Sequence, residues 1–108
     1  MIQVHVLRDK NKDVYAFEMS GHAEYAEHGK DLVCAGASAV SFGAVNALFE
    51  LTDVEPVISQ GEEGGYLRVE VPKDASSNER VQTILQTMIV SLQTIERDYR
   101  EHIKITFK

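Results

Sequence analysis

The sequence contains a single cysteine, no tryptophan and only two prolines among its 108 residues. One cysteine excludes an internal disulfide, and the chain does not open with a basic segment followed by an apolar one. We therefore expect a protein of the reducing cytoplasm. No apolar run approaches the roughly 18–20 residues that a membrane helix needs. With 44% hydrophobic residues, the chain is expected to fold as one globular domain over residues 1–108.

Positive charge is also scarce. Eleven Lys and Arg residues against 17 Asp and Glu residues give a net charge of −6. The basic residues form no cluster, and a nucleic-acid-binding face requires one. We therefore expect no direct contact with nucleic acid and no membrane partner. The acidic charge favours the approach of a basic protein, such as a ribosomal protein, although it serves equally well for solubility alone.

Alternation of apolar and polar residues predicts five strands. They are expected at residues 2–8, 14–20, 54–60, 66–71 and 102–107. Pro56 lacks a donor for the ladder, so the third of them is expected at an edge of the sheet. The turns DKNKD (9–13) and GEEGG (61–65) predict two hairpins.

Two helices are predicted between these strands. Residues 32–52 are apolar or small at nearly every position, which indicates a helix buried on most sides, with Asp31 as its N-cap. Residues 77–100 carry an apolar stripe at helical spacing, and Ser76 with Glu79 has the spacing of a capping box. The order β-β-α-β-β-α-β predicts an α+β fold with two helices packed on a mostly antiparallel sheet.

The stretch SGHAEYAEHGKDLVCAGAS (20–38) contains the candidate catalytic residues. A free thiol is only a few per cent ionised at neutral pH, but Cys34 would lie in the first turn of a helix, where the anion is favoured. His22 precedes a loop that can fold back over the helix start, where it could accept the thiol proton and later donate it to a leaving amine. Ser38 shares a helix face with Cys34 and could donate to its sulfur.

Spacing alone leaves other interpretations open. Cys34 could be an inert core residue, Asp31 only a cap whose charge opposes the thiolate, and Ser38 only a small packing residue. His22, His28, Asp31 and Cys34 are metal-ligand types, but they include no close pair such as C-x-x-C, so we expect no metal. A thiol-redox protein would need a resolving cysteine, which this sequence lacks.

The motif residues resemble the signature of the bacterial ribosomal-processing cysteine protease (Prp) family. The resemblance rests on Gly21-His22-Ala23, Gly29, the run 31–35 and Ser38, and it continues through 42–48 and 85–99. It implies an endopeptidase that removes a short N-terminal extension, after an aromatic and apolar stretch, from a large-subunit ribosomal protein. It also implies a homodimer that needs no cofactor. In such a protein Cys34 is the nucleophile, His22 the general base and acid, and Asp31 and Ser38 support them.

Three further expectations follow for such a site. The backbone N–H groups of Cys34 and Ala35 are expected to stabilise the oxyanion. The segment 22–31 is expected to be a mobile gate flanked by Gly21 and Gly29, because it has few apolar residues to anchor it. The competing hypothesis is a non-catalytic binding or assembly protein for a ribosomal protein, which Cys34→Ser would leave nearly unaffected.

Overall fold

The computed structural model describes residues 1–27, 29–62 and 64–108. Its elements follow the predicted order, and the α+β class is confirmed. The strands and helices are β1 (Ile2–Arg8), β2 (Val14–Ser20), α1 (Leu32–Leu51), β3 (Val57–Gln60), β4 (Tyr66–Glu70), α2 (Glu79–Tyr99) and β5 (Ile103–Phe107).

The five strands form one mixed sheet in the order β3-β4-β2-β1-β5. Among the strands that the structure describes, three neighbouring pairs are antiparallel, and β1 runs parallel to β5. The predicted edge position of the third strand is confirmed. That strand begins at Val57, directly after Pro56, rather than at residue 54, because proline cannot donate to a ladder.

The core lies between one face of this sheet and the two helices. Alternate strand residues such as Val4, Val6 and Phe17 are fully buried there. The apolar stripe of α2 faces the same core through Leu85 and Leu92, as its helical spacing predicts.

The predicted capping box at the start of α2 is wrong. Asn78, not Ser76, caps the helix, because its side-chain oxygen accepts from the N–H of Val81 at 3.1 Å. The Ser76 hydroxyl instead donates to the carbonyl of Lys73, at a short 3₁₀ turn that precedes the helix. The helix therefore starts later than the spacing indicated.

Helix α1 is buried on one face only, so the prediction of burial on most sides is wrong for the single chain. Its buried residues are Val33, Ala37, Ser41, Ala44, Val45 and Leu48. On other faces Leu32 is 68% exposed and Phe49 is 47% exposed. The sheet and α2 together cover a single side of a helix that is apolar nearly all round.

The same helix is long and apolar enough, by length and composition alone, to cross a membrane. The expectation that no run approaches that length was therefore too strict. The criterion is weak evidence, since core helices of soluble proteins also meet it. Here Gly36 lies against α2, where a Cβ would be 3.5 Å from the Cδ1 atom of Ile95.

Candidate active site

A cleft of about 760 Å³ lies between the start of α1 and the β3–β4 turn. All seven site residues predicted from the sequence line it: Gly21, His22, Gly29, Asp31, Cys34, Ala35 and Ser38. The fold therefore brings the whole predicted set to one place. The lining also includes residues that the sequence did not indicate, namely Met19, Phe42, Gly65 and Tyr66.

Asp31 joins the loop before α1 to the helix itself. Its Oδ1 atom accepts from the N–H groups of Val33 and Cys34, both at 3.0 Å, which confirms the predicted N-cap. Its Oδ2 atom accepts from the N–H groups of Tyr25 at 2.9 Å and Ala26 at 3.4 Å. The carboxylate thus ties the loop to the start of the helix.

The pKa of Asp31 lies below its ordinary value of 3.8. Burial by itself raises the pKa, since it disfavours the charged form. The backbone N–H groups of Cys34, Tyr25, Ala26 and Val33 all bind the carboxylate and together outweigh that effect. Asp31 is therefore ionised at neutral pH and accepts hydrogen bonds from the unpaired N–H groups at the helix start.

Cys34 lies in the first turn of α1 and is partly buried. Its sulfur accepts from the backbone N–H of Ala23 at 3.3 Å. The Ser38 hydroxyl was expected to donate to this sulfur, but the contact found among the described residues comes from Ala23 instead. The sulfur therefore faces the loop that follows His22.

The expected oxyanion donors are already used. The N–H of Cys34 donates to the Asp31 carboxylate at 3.0 Å, and the N–H of Ala35 donates to the Asp31 carbonyl at 3.0 Å. The first bond is the cap of α1 and the second is its first helical hydrogen bond. In this structure, an oxyanion would have to share these N–H groups with Asp31 or displace it, so the assignment stays a prediction.

His22 is exposed and follows the end of β2. The β2–β4 pairing continues one step further, because the N–H of Gly21 donates to the carbonyl of Gly65 at 2.8 Å. Gly21 has a φ of +87°, and a side chain there would clash with the Met1 carbonyl. This turn aims the imidazole at Gly65, where a Cβ would lie only 3.0 Å from Nε2 of His22.

Tyr66 and Phe42 give the cleft aromatic walls. The Tyr66 hydroxyl donates to Glu18 at 3.2 Å. Burial, and then the negative charge of Glu18, raise the pKa of Tyr66 above its ordinary value, against an opposing effect of Arg68. The phenol is therefore neutral at physiological pH. No sequence signal identifies Tyr66 as a wall of the cleft, because its pattern indicates only the start of a strand.

The loop before α1 has more anchors than the sequence indicated. Ala23 is 1% exposed and belongs to the core. The ring of Tyr25 packs edge-on against Tyr99 and His102, with centroid distances of 5.3 and 5.2 Å. Gly29 has a φ of +89°. The metal alternative included His28, which lies outside the described residues.

A cysteine at a helix start and a histidine in the same cleft are the groups that thiol-dependent hydrolases use. The comparisons with known proteins agree with that class. The family model described as Cysteine protease Prp matches residues 1–104. The ribosomal processing cysteine protease Prp of Bacillus subtilis (strain 168) is 49% identical over 108 residues, covering 98% of this chain and 96% of that protein.

Solved structures give the same result. The ribosomal processing protease Prp from S. aureus with a covalently linked product peptide superposes with a TM-score of 0.96 at 44% identity. The same protease with a substrate peptide gives a TM-score of 0.89, also at 44% identity. Both alignments cover 100% of each chain. The chain described here belongs to the Prp family of cysteine proteases.

Proposed function

We propose that this cysteine protease removes the short N-terminal extension of a large-subunit ribosomal protein, as a step in ribosome maturation. The observation that carries the proposal is the position of Cys34, at the start of α1 in the cleft that His22 also lines. Relatives named for ribosomal processing, one of them with a covalently linked product peptide, support the same reaction.

The proposed reaction uses Cys34 as nucleophile and His22 as general base and acid. His22 takes the thiol proton while Sγ bonds to the scissile carbonyl carbon, which gives a tetrahedral adduct. As the carbon–nitrogen bond breaks, His22 returns the proton to the leaving amine. Water then hydrolyses the thioester, which releases the peptide acid and restores the thiol. No cofactor takes part in these steps.

Asp31 and Ser38 act in support. The described contacts of the Asp31 carboxylate go to backbone N–H groups, so its role is to hold the helix start and the loop rather than to exchange protons. Ser38 lies one turn beyond Cys34 on the cleft wall, where it has room to bind substrate or sulfur.

The walls of the cleft suit the substrate implied by the family resemblance. Met19, Phe42 and Tyr66 offer apolar and aromatic contact to the stretch before the cut. The net charge of −6 favours a basic ribosomal protein over nucleic acid. We place this reaction in the cytoplasm, in a single protease domain over residues 1–108 that works as a homodimer.

We also propose that the segment 22–31, which Ala23 and Tyr25 anchor in this structure, is a gate that closes further over the cleft when substrate binds. Gly21, directly before it, and Gly29, near its far end, both have positive φ values, and the segment joins His22 to the helix that carries Cys34. In Cys34→Ala protein, an uncleaved substrate peptide should increase hydrogen-exchange protection over this segment specifically. Equal protection with and without the peptide would mean that the site is preformed.

Cleavage of a peptide that carries the extension tests the reaction. Cys34→Ala and His22→Ala should each abolish cleavage, and the double variant should be no worse, because the two residues act as one unit. Cys34→Ser should also lose turnover, whereas a binding protein would keep its affinity for the peptide. Substantial cleavage by Cys34→Ala would refute the proposal.

A further inference from the structure

His102 lies far from Cys34 in sequence but next to the loop that contacts its sulfur. The side chain sits in the short turn between α2 and β5, and its Nδ1 atom is 2.9 Å from the carbonyl oxygen of Ala23. A carbonyl oxygen can only accept, so Nδ1 carries the proton and donates. Ala23 thus makes two contacts: its carbonyl accepts from His102, and its N–H donates to Cys34 Sγ at 3.3 Å.

The backbone of His102 is itself held by the framework. Its N–H donates to the carbonyl of Tyr99 at the end of α2, at 2.8 Å. Its carbonyl accepts from the N–H of Ile2 in β1, at 2.9 Å. The imidazole therefore projects from the junction of a helix and a strand, whose backbone bonds do not involve the loop.

The loop needs such a support at this point. Glu24, directly after Ala23, has a φ of +56°, a left-handed conformation that is unfavourable for a residue with a Cβ. Bonds on both sides hold that conformation, from His102 to the Ala23 carbonyl and from the Tyr25 N–H to Asp31. If the bond from His102 is lost, the backbone at Ala23 can relax and move its N–H away from the sulfur.

We propose that His102 is a positioning residue of this protease, which acts through Ala23. It holds the Ala23 N–H against Cys34 Sγ, where a fixed donor stabilises the thiolate and keeps the sulfur oriented toward the cleft. This inference rests on the proposed role of Cys34. His102 is not among the described residues that line the cleft, so the expected effect of His102 is on the thiol and not on substrate binding.

Two substitutions separate the hydrogen bond from the ring. His102→Asn places an amide N–H close to the position of Nδ1 and removes the ring. His102→Phe keeps a ring edge for Tyr25 and removes the donor. The control is Glu101→Ala, an exposed neighbour in the same turn. Because Cys34 is the only thiol, its alkylation by iodoacetamide can be followed in the whole protein without a substrate.

His102→Phe should slow both alkylation and kcat by about tenfold, as expected for one lost bond to a charged atom, with KM changed by less than about twofold. His102→Asn and Glu101→Ala should stay close to the unaltered protein in all three quantities. The proposal would be overturned if Cys34 in His102→Phe were alkylated as fast as in the unaltered protein. It would also be overturned if alkylation and kcat fell as much in His102→Asn as in His102→Phe.

Thermal unfolding of each variant checks that it folds. If His102→Phe does not fold, His102→Gln takes its place in the test. Gln carries the same amide one methylene further from the backbone, out of position for the Ala23 carbonyl. Alkylation should therefore be slower in His102→Gln than in His102→Asn. Equal rates for those two variants would also overturn the proposal. The alkylation result is independent of cleavage, so the failure of this inference is distinguishable from the failure of the proposed function.

Discussion

The imidazole of His22 lies against a residue without a side chain. A Cβ at Gly65 would be 3.0 Å from Nε2 and 3.4 Å from Cε1 of His22, closer than ordinary van der Waals contact. Gly65 also has a φ of +73° and accepts the backbone bond from Gly21. At the scale of single residues, this glycine leaves the space that His22 occupies.

Gly65→Ala should lower kcat/KM by at least about tenfold, because the added methyl displaces the proposed base from its position. Gly64→Ala is the matched control. Gly64 has a similar φ of +78°, but nothing lies within 4 Å of the Cβ that it would gain. Both variants should lose about 1–2 kcal/mol of stability from the left-handed backbone, as measured by urea unfolding. Equal activities in the two variants would contradict this role for Gly65.

At the scale of elements, Asp31 connects α1 to the loop 22–31 through four backbone N–H groups. Its pKa is lower in the folded chain than its ordinary value of 3.8. A lowered folded pKa means that the carboxylate stabilises the fold fully above the unfolded pKa, and that this stability is lost as pH falls through the folded pKa.

Asp31→Asn should therefore be less stable than the unaltered protein at neutral pH, and the difference should shrink as the pH falls below about 4. Free energies of unfolding by urea, measured for both proteins across that range, check this. Ser76→Ala serves as a control, because Ser76 does not cap a helix and its effect should not depend on pH. A difference between Asp31→Asn and the unaltered protein that is constant with pH would show that the carboxylate charge is irrelevant.

At the scale of the whole molecule, the outer face of α1 is apolar and uncovered. Leu32 and Phe49 are 68% and 47% exposed there, and Phe42, at the wall of the cleft, is 40% exposed. Large apolar side chains that stay exposed in this way are typical of an interaction surface. We therefore expect the chain of 12.1 kDa to sediment as a homodimer of about twice that mass.

Phe49→Lys should shift this protein toward the monomer in sedimentation at micromolar concentration, since it buries a charge in the expected interface. Val90→Lys tests whether α2 forms the interface instead, because Val90 on α2 is 59% exposed. The helix whose variant dissociates carries the interface. A monomer in the unaltered protein would refute the homodimer.

Much of the fold could be predicted because its signals are local. Alternation of apolar and polar residues predicted β1 and β2 with the same first and last residues that the structure shows. The apolar residues at helical spacing in α2 predicted which of its faces is buried. Asp31 was identifiable as a cap for the same reason, since a cap acts on N–H groups two and three residues away. That cap also uses the N–H of Cys34, so the oxyanion assignment to that group conflicted with another prediction from the same sequence.

The sequence by itself determined the order of elements, the cap of α1 and the motif that places the chain in its family. These depend on neighbours along the chain and on residue types. Only the tertiary structure decided that His22 rests on Gly65, that the Ala23 N–H contacts Cys34, and that His102 holds Ala23 from 79 residues away. It also decided which face of α1 is buried, because a helix that is apolar nearly all round has no pattern to select one face. Such contacts depend on how the sheet and helices pack, and packing brings together residues whose spacing in the sequence has no period.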